Sequence, residues 1–195
     1  MKILAFADTH GDWSAIKEIK KKAKKADIII CAGDFTTFEN DIDDILFELN
    51  NIGKPLLIIH GNHEEASIVR NRVKDLDNIL FIHKNKFEIG EYLFLGYGGG
   101  GFALTNKDFE KFTKKYEKLD KKKKIVLITH GPPHKTNLDN ITGHHCGCKS
   151  IRKFLERTKV IIGISGHIHD TFGTEDNIKG TKVINPGPFG KIVTI

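Results

Sequence analysis

Five short apolar runs punctuate this chain, and each one stops at residues that can bind a metal ion. KILAFA leads into Asp8-Thr9-His10, and IIICA into Gly33-Asp34. The run Leu56–Ile59 passes through His60 and Gly61 into Asn62-His63-Glu64. KIVLIT ends at His130, and VIIGIS at Gly166-His167-Ile168-His169. Apolar runs of this length, closed by Gly and polar residues, read as strands buried on both faces. Open α/β sheets place their sites beyond the carboxyl ends of such strands. Five ends with one chemistry therefore predict one site assembled by the fold.

The segments between the strands support that architecture. A helix is expected near Trp13–Lys25, with Ile16, Ile19, Ala23 and Ala26 on one stripe. Ile42, Ile45, Leu46 and Leu49 mark a second over Asp41–Asn50, and Ala66, Val69 and Val73 a third. The order β-α-β-α-β-α implies a parallel sheet with right-handed crossovers. Ile79–Ile82, Lys86–Ile89 and Tyr92–Leu95 then read as short strands of a meander. The glycine run Gly98–Gly101 lacks the following Lys-Ser/Thr of a phosphate-binding loop, so a closely approached backbone loop is expected there. Thr105 to Asp108 resembles a capping box opening a helix with Phe109, Phe112, Tyr116 and Leu119 inward. Strand Ile125–Thr129, loop Gly131–Cys146, helix Lys149–Thr158 and strand Val160–Ser165 form a second β-α-β stretch. Val183–Asn185 and Ile192–Ile195 are expected to pair as a final hairpin. No repeat or linker interrupts residues 1–195, which predicts one α/β domain of two packed sheets flanked by helices.

Charge and cysteine content narrow the setting. The net charge of +6 is Lys-driven, with runs at Lys20–Lys25 and Lys121–Lys124. No aromatic residues interleave with these runs to stack bases, so a solvated surface is expected and nucleic acid is not expected as a tight partner. Three cysteines are an odd number, which argues against a disulfide framework. No run approaches the roughly 18 apolar residues of a membrane span, and no signal peptide is visible. A cytoplasmic location is the expectation, with a homo-oligomer left open.

Asp8, His10, Asp34, Asn62, His130, His167 and His169 offer carboxylate, amide and imidazole donors from five strand ends. Mixed oxygen and nitrogen donors suit Mn, Ni, Fe or Zn better than a thiolate site would. Seven donors exceed what one ion with open positions needs, whereas two ions bridged by a carboxylate would use them all. In this order, D-x-H, G-D, G-N-H-E, a lone His after a strand and G-H-x-H resemble the calcineurin-like metallophosphoesterase family, in its small, cap-less archaeal and bacterial form. The resemblance runs from Asp8 to His169 and implies a two-sheet sandwich flanked by helices. It implies that Asp8, His10, Asp34 and His169 hold a first divalent ion, and that Asp34 bridges to a second completed by Asn62, His130 and His167. It also implies that His63 is not a ligand but contacts the substrate phosphoryl group and protonates the leaving oxygen, with Asp34 or a metal-bridging hydroxide on the attacking side. An imidazole suits general-acid work at neutral pH. Glu64 is the nearest candidate to orient an imidazole, with Asp12 and Asp41 as alternatives.

The remaining histidines read differently. His60 is expected to pack at its strand end and His83 to lie on the surface. His134, His144 and His145 occupy the loop after His130, where His144 and His145 are candidates to contact substrate. Cys146 and Cys148 make a third metal conceivable, but one Cys-x-Cys without a partner pair is weak evidence. Backbone N–H groups near Gly147 and Cys148 could instead meet an anionic substrate at a helix start.

These readings point to a dinuclear phosphoesterase acting through in-line attack of metal-activated water on a small phosphate ester, with manganese the first choice of metal. No insertion is long enough to cap the site, and Arg70, Arg72, Arg152 and Arg157 all fall on helices. An open site without arginine favours diesters over monoester dianions. The alternatives are a phosphomonoesterase, a nuclease of the same superfamily, and a non-catalytic interaction scaffold.

Overall fold

Strand residues alternate between two buried environments, which is why the apolar runs admit so few polar residues. In the computed structural model, which describes residues 1–117 and 123–195, the first half of the chain forms a parallel sheet. Its strands are β1 (Lys2–Phe6), β2 (Ile28–Cys31), β3 (Leu56–Ile58) and β4 (Ile79–Phe81). The crossovers are α1 (Trp13–Ala23), α2 (Ile42–Asn50) and α3 (Ala66–Val73). Leu4 and Phe6 of β1 pack into the helix layer with Ile16, Ile19 and Ile45. Ile3 and Ala5, on the other face of the strand, pack towards the second sheet.

The chain then crosses to the second sheet with β5 (Asn85–Ile89), β6 (Tyr92–Tyr97) and β7 (Lys124–Thr129). Helix α4 (Lys107–Thr113) lies between β6 and β7. A two-stranded ribbon, β8 (Asn140–Ile141) with β9 (His144–His145), precedes α5 (Lys149–Arg157) and β10 (Val160–Ile164). Hairpin β11 (Glu175–Ile178) and β12 (Thr181–Ile184) follows, and β13 (Lys191–Thr194) returns to the first sheet. The strand orders are β13-β1-β2-β3-β4 and β11-β12-β10-β7-β6-β5. Ile28, Ile30 and Leu57 of one sheet meet Phe94, Val126, Ile128 and Ile164 of the other in an apolar middle layer. Leu93, Leu95 and Leu127 face α4 and α5 through Phe109, Ile151 and Phe154. The result is four layers, helices outside two stacked sheets, as expected.

Three local expectations change. Strand β4 is no part of a meander: it pairs parallel with β3, Leu56 opposite Ile79, because Ile79 and Phe81 share the buried helix side with Val69 and Val73. The two end segments do not pair with each other. β12 lies parallel to β10, while β13 runs antiparallel to β1 with Lys2 opposite Thr194. The hairpin partner of β12 is Glu175–Ile178, whose polar sequence EDNI carries no apolar signal. Helix α4 is capped one residue later than the capping-box reading, since Asn106 Oδ1 accepts from the Phe109 N–H at 2.9 Å. Phe109 and Tyr116 are buried as expected, and Leu119 lies outside the described residues.

Members of both lysine runs engage the protein itself, while Lys21, Lys24 and Lys25 are exposed as expected. Lys20 pairs with Glu48, and Lys22 donates to the carbonyls of Phe189 and Gly190 at 3.0 Å each. Lys123 and Lys124 pair with Glu88 and Glu91 at 2.8 and 2.7 Å; Lys121 and Lys122 lie outside the described residues. Among the described residues, no helix is long and apolar enough to cross a membrane.

Candidate metal centre

The carboxyl ends of β1, β2 and β3 in one sheet meet those of β7 and β10 in the other. There the predicted donors converge. His10 Nε2 lies 3.1 Å from His169 Nε2, and His130 Nε2 lies 3.0 Å from Asn62 Oδ1 and 3.3 Å from Asp34 Oδ2. Asp8, His10 and His169 offer one donor atom each within 4.8 Å of one another, and so do Asp34, His130 and His167. The family resemblance assigns the first three of these to one ion and the last three to the other. A third group of the same compactness joins His63 to His10 and Asp34, so distance alone gives His63 the reach of a ligand. Asp8, Asp34 and His130 are buried, whereas Asn62 and His169 are exposed, so the cluster forms a floor open to solvent.

The backbone is bent to aim these groups. Asp8, His10, Asp34 and His167 all have left-handed φ, at 57°, 45°, 50° and 74°. Asp and His tolerate that region better than bulkier residues do, and such strain gathers at functional sites. The glycines of the motifs make room for the carboxylates. A Cβ on Gly61 would fall on the Asp34 carboxylate, and one on Gly166 on the Asp8 carboxylate. In return, the His167 N–H donates to both Asp8 oxygens, and the His63 N–H to Asp34 Oδ1. His130 is locked from behind by the Ala32 carbonyl, 2.9 Å from Nδ1, which leaves Nε2 for the site.

The two carboxylates differ in charge balance. Burial pushes the Asp8 carboxyl up to about 7, with the neighbouring charges of His130 and Asp34 acting in opposite directions. Burial acts on Asp34 in the same sense, but the hydrogen bond and charge of His130 outweigh it and hold this carboxyl at about 2. Burial also lowers His167 to about 4, so this imidazole is a neutral donor at pH 7. Buried His167 Nε2 and His63 Nδ1 have no hydrogen-bond partner among the described residues. Facing imidazole nitrogens, orphaned ring nitrogens and two buried carboxylates fit a pair of divalent cations, whose charge would compensate what the protein leaves unpaired.

The supporting residues are only partly the expected ones. Glu64 orients no imidazole. Its carboxylate accepts from the Asp34, Thr36 and Gly61 amides at 3.1, 2.9 and 2.9 Å, because it is buried where two site loops present unpaired N–H groups. Burial raises its pKa and those hydrogen bonds oppose the rise. Asp12 caps α1 through Ser14 and Ala15, and Asp41 makes no side-chain capping bond. Asn185 is a residue that motif reasoning missed. Fully buried, it donates to the Ile168 carbonyl and to Thr171 Oγ1, fixing the loop that carries His167 and His169. The available signal was an Asn just beyond a strand and before Pro186-Gly187.

His60 packs at its strand end as expected, and the Gly98 backbone lies against it, which explains the glycine run as a close approach. His83 is half-buried rather than a surface residue: it accepts from the Gly98 N–H at 2.9 Å and packs on His60 and Tyr97. His144 and His145 are exposed on β9. Asp139, buried beneath them, accepts from His145 Nδ1 at 2.7 Å and from the amides of Lys135, Thr136 and Gly147. With Asp139 absorbed by the loop, no ligand group gathers around Cys146 and Cys148 among the described residues, and all three cysteines are free. Cys148 heads α5, and its N–H and that of Gly147 are taken by Pro132 and Asp139, so they are not available to an anion.

Comparison with known proteins shows the fold and the family. A protein of Methanocaldococcus jannaschii, MJ1162, of uncharacterised function, is 31% identical over 96% of this chain and 88% of its own length. The fold is shared with a structure described as a novel archaeal phosphodiesterase, at 17% identity, TM-score 0.56, and coverage of 96% of this chain and 84% of that one. It is shared too with a dimetal phosphatase of Danio rerio, at 12% identity, TM-score 0.65, and coverage of 94% and 86%. The sequence model of the calcineurin-like phosphoesterases matches residues 1–171, a span that holds every donor described above. This chain belongs to the calcineurin-like phosphoesterase family.

Proposed function

We propose that this protein is a dinuclear phosphodiesterase for small phosphate esters. One observation carries the reading: two compact donor groups sit side by side, with Asp34 among them, on a floor that solvent reaches through Asn62, His63 and His169. Asp8, His10, Asp34 and His169 would hold one ion, and Asp34, Asn62, His130 and His167 the other. When bound, the ions supply Lewis acidity that polarises the phosphoryl oxygens and activates a water. Manganese suits this O/N donor set, with Ni, Fe and Zn as alternatives.

The chain's own part is orientation and proton transfer. Asp34, low in pKa, keeps its charge where both donor groups meet. His63 stands 4.6 Å from His10, ring to ring, at the exposed edge of the cluster. From there it donates a proton to the leaving oxygen. His144 and His145, exposed on the ribbon after β7, are assigned to the outer rim of the substrate site. The three free cysteines support a reducing, cytoplasmic setting.

An open floor leaves room for substituents on both sides of phosphorus, which favours diesters. The test compares kcat/KM for bis-p-nitrophenyl phosphate and p-nitrophenyl phosphate with Mn²⁺ and with Ni²⁺. The diester is expected to win. A monoester advantage of about tenfold, some 1.4 kcal/mol at the transition state, would make the protein a phosphatase instead.

A further inference from the structure

Two phenylalanines stand in water beside the donor cluster. Phe38 is 68% exposed with its ring 4.4 Å from His63, and Phe102 is 61% exposed with its ring 4.5 Å from His167. Phe35, three residues before Phe38, is fully buried. The Phe38 ring is tilted 34° to the His63 imidazole, and most of the residue meets solvent.

The chain invests in this position. Phe38 and Glu39 both have left-handed φ, at 51° and 58°, a strain of about 1–3 kcal/mol for such residues. The loop is pinned on every side. Thr37 Oγ1 donates to the His10 carbonyl at 3.1 Å, the Glu39 N–H donates to Thr36 Oγ1 at 3.2 Å, and the Glu65 N–H donates to Glu39 Oε1 at 2.7 Å. A ring held rigidly in a strained loop, and left mostly in water, gains little for folding. It gains when something covers it.

We propose that Phe38 is the specificity-determining wall for the leaving group, and that this enzyme prefers phosphate esters whose leaving group is a flat aromatic ring, such as a nucleobase-bearing or aryl group. The proposal rests on His63 facing the leaving oxygen. A group attached to that oxygen then emerges next to Phe38, where a flat ring can stack. Phe102 borders His167 at the other donor group and so flanks a different part of the substrate.

Non-hydrolysable phosphonates test the wall by binding alone. Titration calorimetry of the Mn²⁺-loaded protein compares phenyl-, cyclohexyl- and methylphosphonate, while inhibition of bis-p-nitrophenyl phosphate hydrolysis by adenosine 5′-monophosphate and by phenyl phosphate separates nucleobase from aryl preference. Phenylphosphonate should bind roughly 5–20-fold more tightly than methylphosphonate, in line with stacking on one aromatic side chain. Phe38→Ala should erase that advantage without changing methylphosphonate binding or metal content, and Phe38→Trp should restore it. Equal weakening of all three ligands in Phe38→Ala, or a cyclohexyl gain as large as the phenyl gain, would overturn the wall. If the phosphonates behave as expected but no ester is hydrolysed, the hydrolytic reading fails and the leaving-group assignment falls with it, leaving Phe38 as an aromatic binding surface only. Hydrolysis without any aromatic preference would remove the wall and leave the hydrolytic reading in place.

Discussion

Two histidine-rich regions lie at the same end of this molecule, and their buried carboxylates separate them. In the strand-end cluster, Asp34 gives one oxygen to the His63 amide and turns the other toward His130, 3.3 Å away. In the rim loop, Asp139 also meets an imidazole, His145, yet its oxygens are consumed by the amides of Lys135, Thr136 and Gly147. The first carboxylate has bonding capacity left for a cation. The second is a staple that shapes a loop without secondary structure long enough to hold itself. Counting histidines does not distinguish such regions; counting what each carboxylate already accepts does.

That contrast predicts opposite consequences for matched substitutions. Asp34→Asn should cause the largest loss, about 10⁴-fold or more in kcat/KM, because one change weakens both ion sites. Metal analysis should fall from two ions per chain toward none. Retained metal with unchanged activity would remove Asp34 from the centre of the site.

His63→Ala comes next, with kcat lowered by roughly 10²–10⁴ while metal content stays near two. The deficit should shrink for esters with good leaving groups, which need little protonation. Loss of an ion in this variant would make His63 a ligand, as its position within the His10–Asp34 group permits. An equal deficit for good and poor leaving groups would assign it positioning instead.

Asp139→Asn should behave in the opposite way. An amide cannot accept all the hydrogen bonds that converge there, so stability should drop by about 1–3 kcal/mol. Metal content and kcat should stay close to wild type. A third ion in the wild type, lost in this variant, would break the comparison by turning the staple into a ligand.

The smallest effect lies behind the cluster, at His60 and His83. Burial holds His60 at about 4, with the charges of His130 and Arg70 adding to it, and burial with the charge of His60 holds His83 at about 3. Both values lie below the usual 6.5, so the folded state excludes protons that the unfolded chain takes up. Their contribution is complete above pH 6.5 and is lost as pH falls toward the folded values. His83→Gln, which keeps an acceptor for Gly98, should flatten the stability loss between about pH 6.5 and 4 by about 1–2 kcal/mol, discounted for its half-exposure. Denaturant unfolding at a series of pH values measures it, and an unchanged slope would mean that His83 does not drive the loss of stability in acid.

Much of this protein is readable without coordinates. Each apolar run is a local signal, since a strand buried on both faces must be apolar throughout, and the polar residues just beyond it are local too. Asp8, His10, Asp34, Asn62, His130, His167 and His169 could be named for that reason, and so could the helices whose stripes match β1 to β3. Which strands pair is decided between distant segments. The sequence of β4 looks like that of β5 and β6, but only the match of Ile79 and Phe81 to the α3 layer puts it in the first sheet. Only the closing of β13 onto β1 shows that the last segment leaves the hairpin. The supporting shell is equally non-local. Glu64 serves amides from two loops and Asn185 serves a loop from another strand, and neither carries a sequence signal beyond its own polarity. Phe35 and Phe38 read alike as letters. The left-handed turn between the site loops buries one ring and holds the other out beside His63, because tertiary contacts, not residue type, choose which face of a loop meets water.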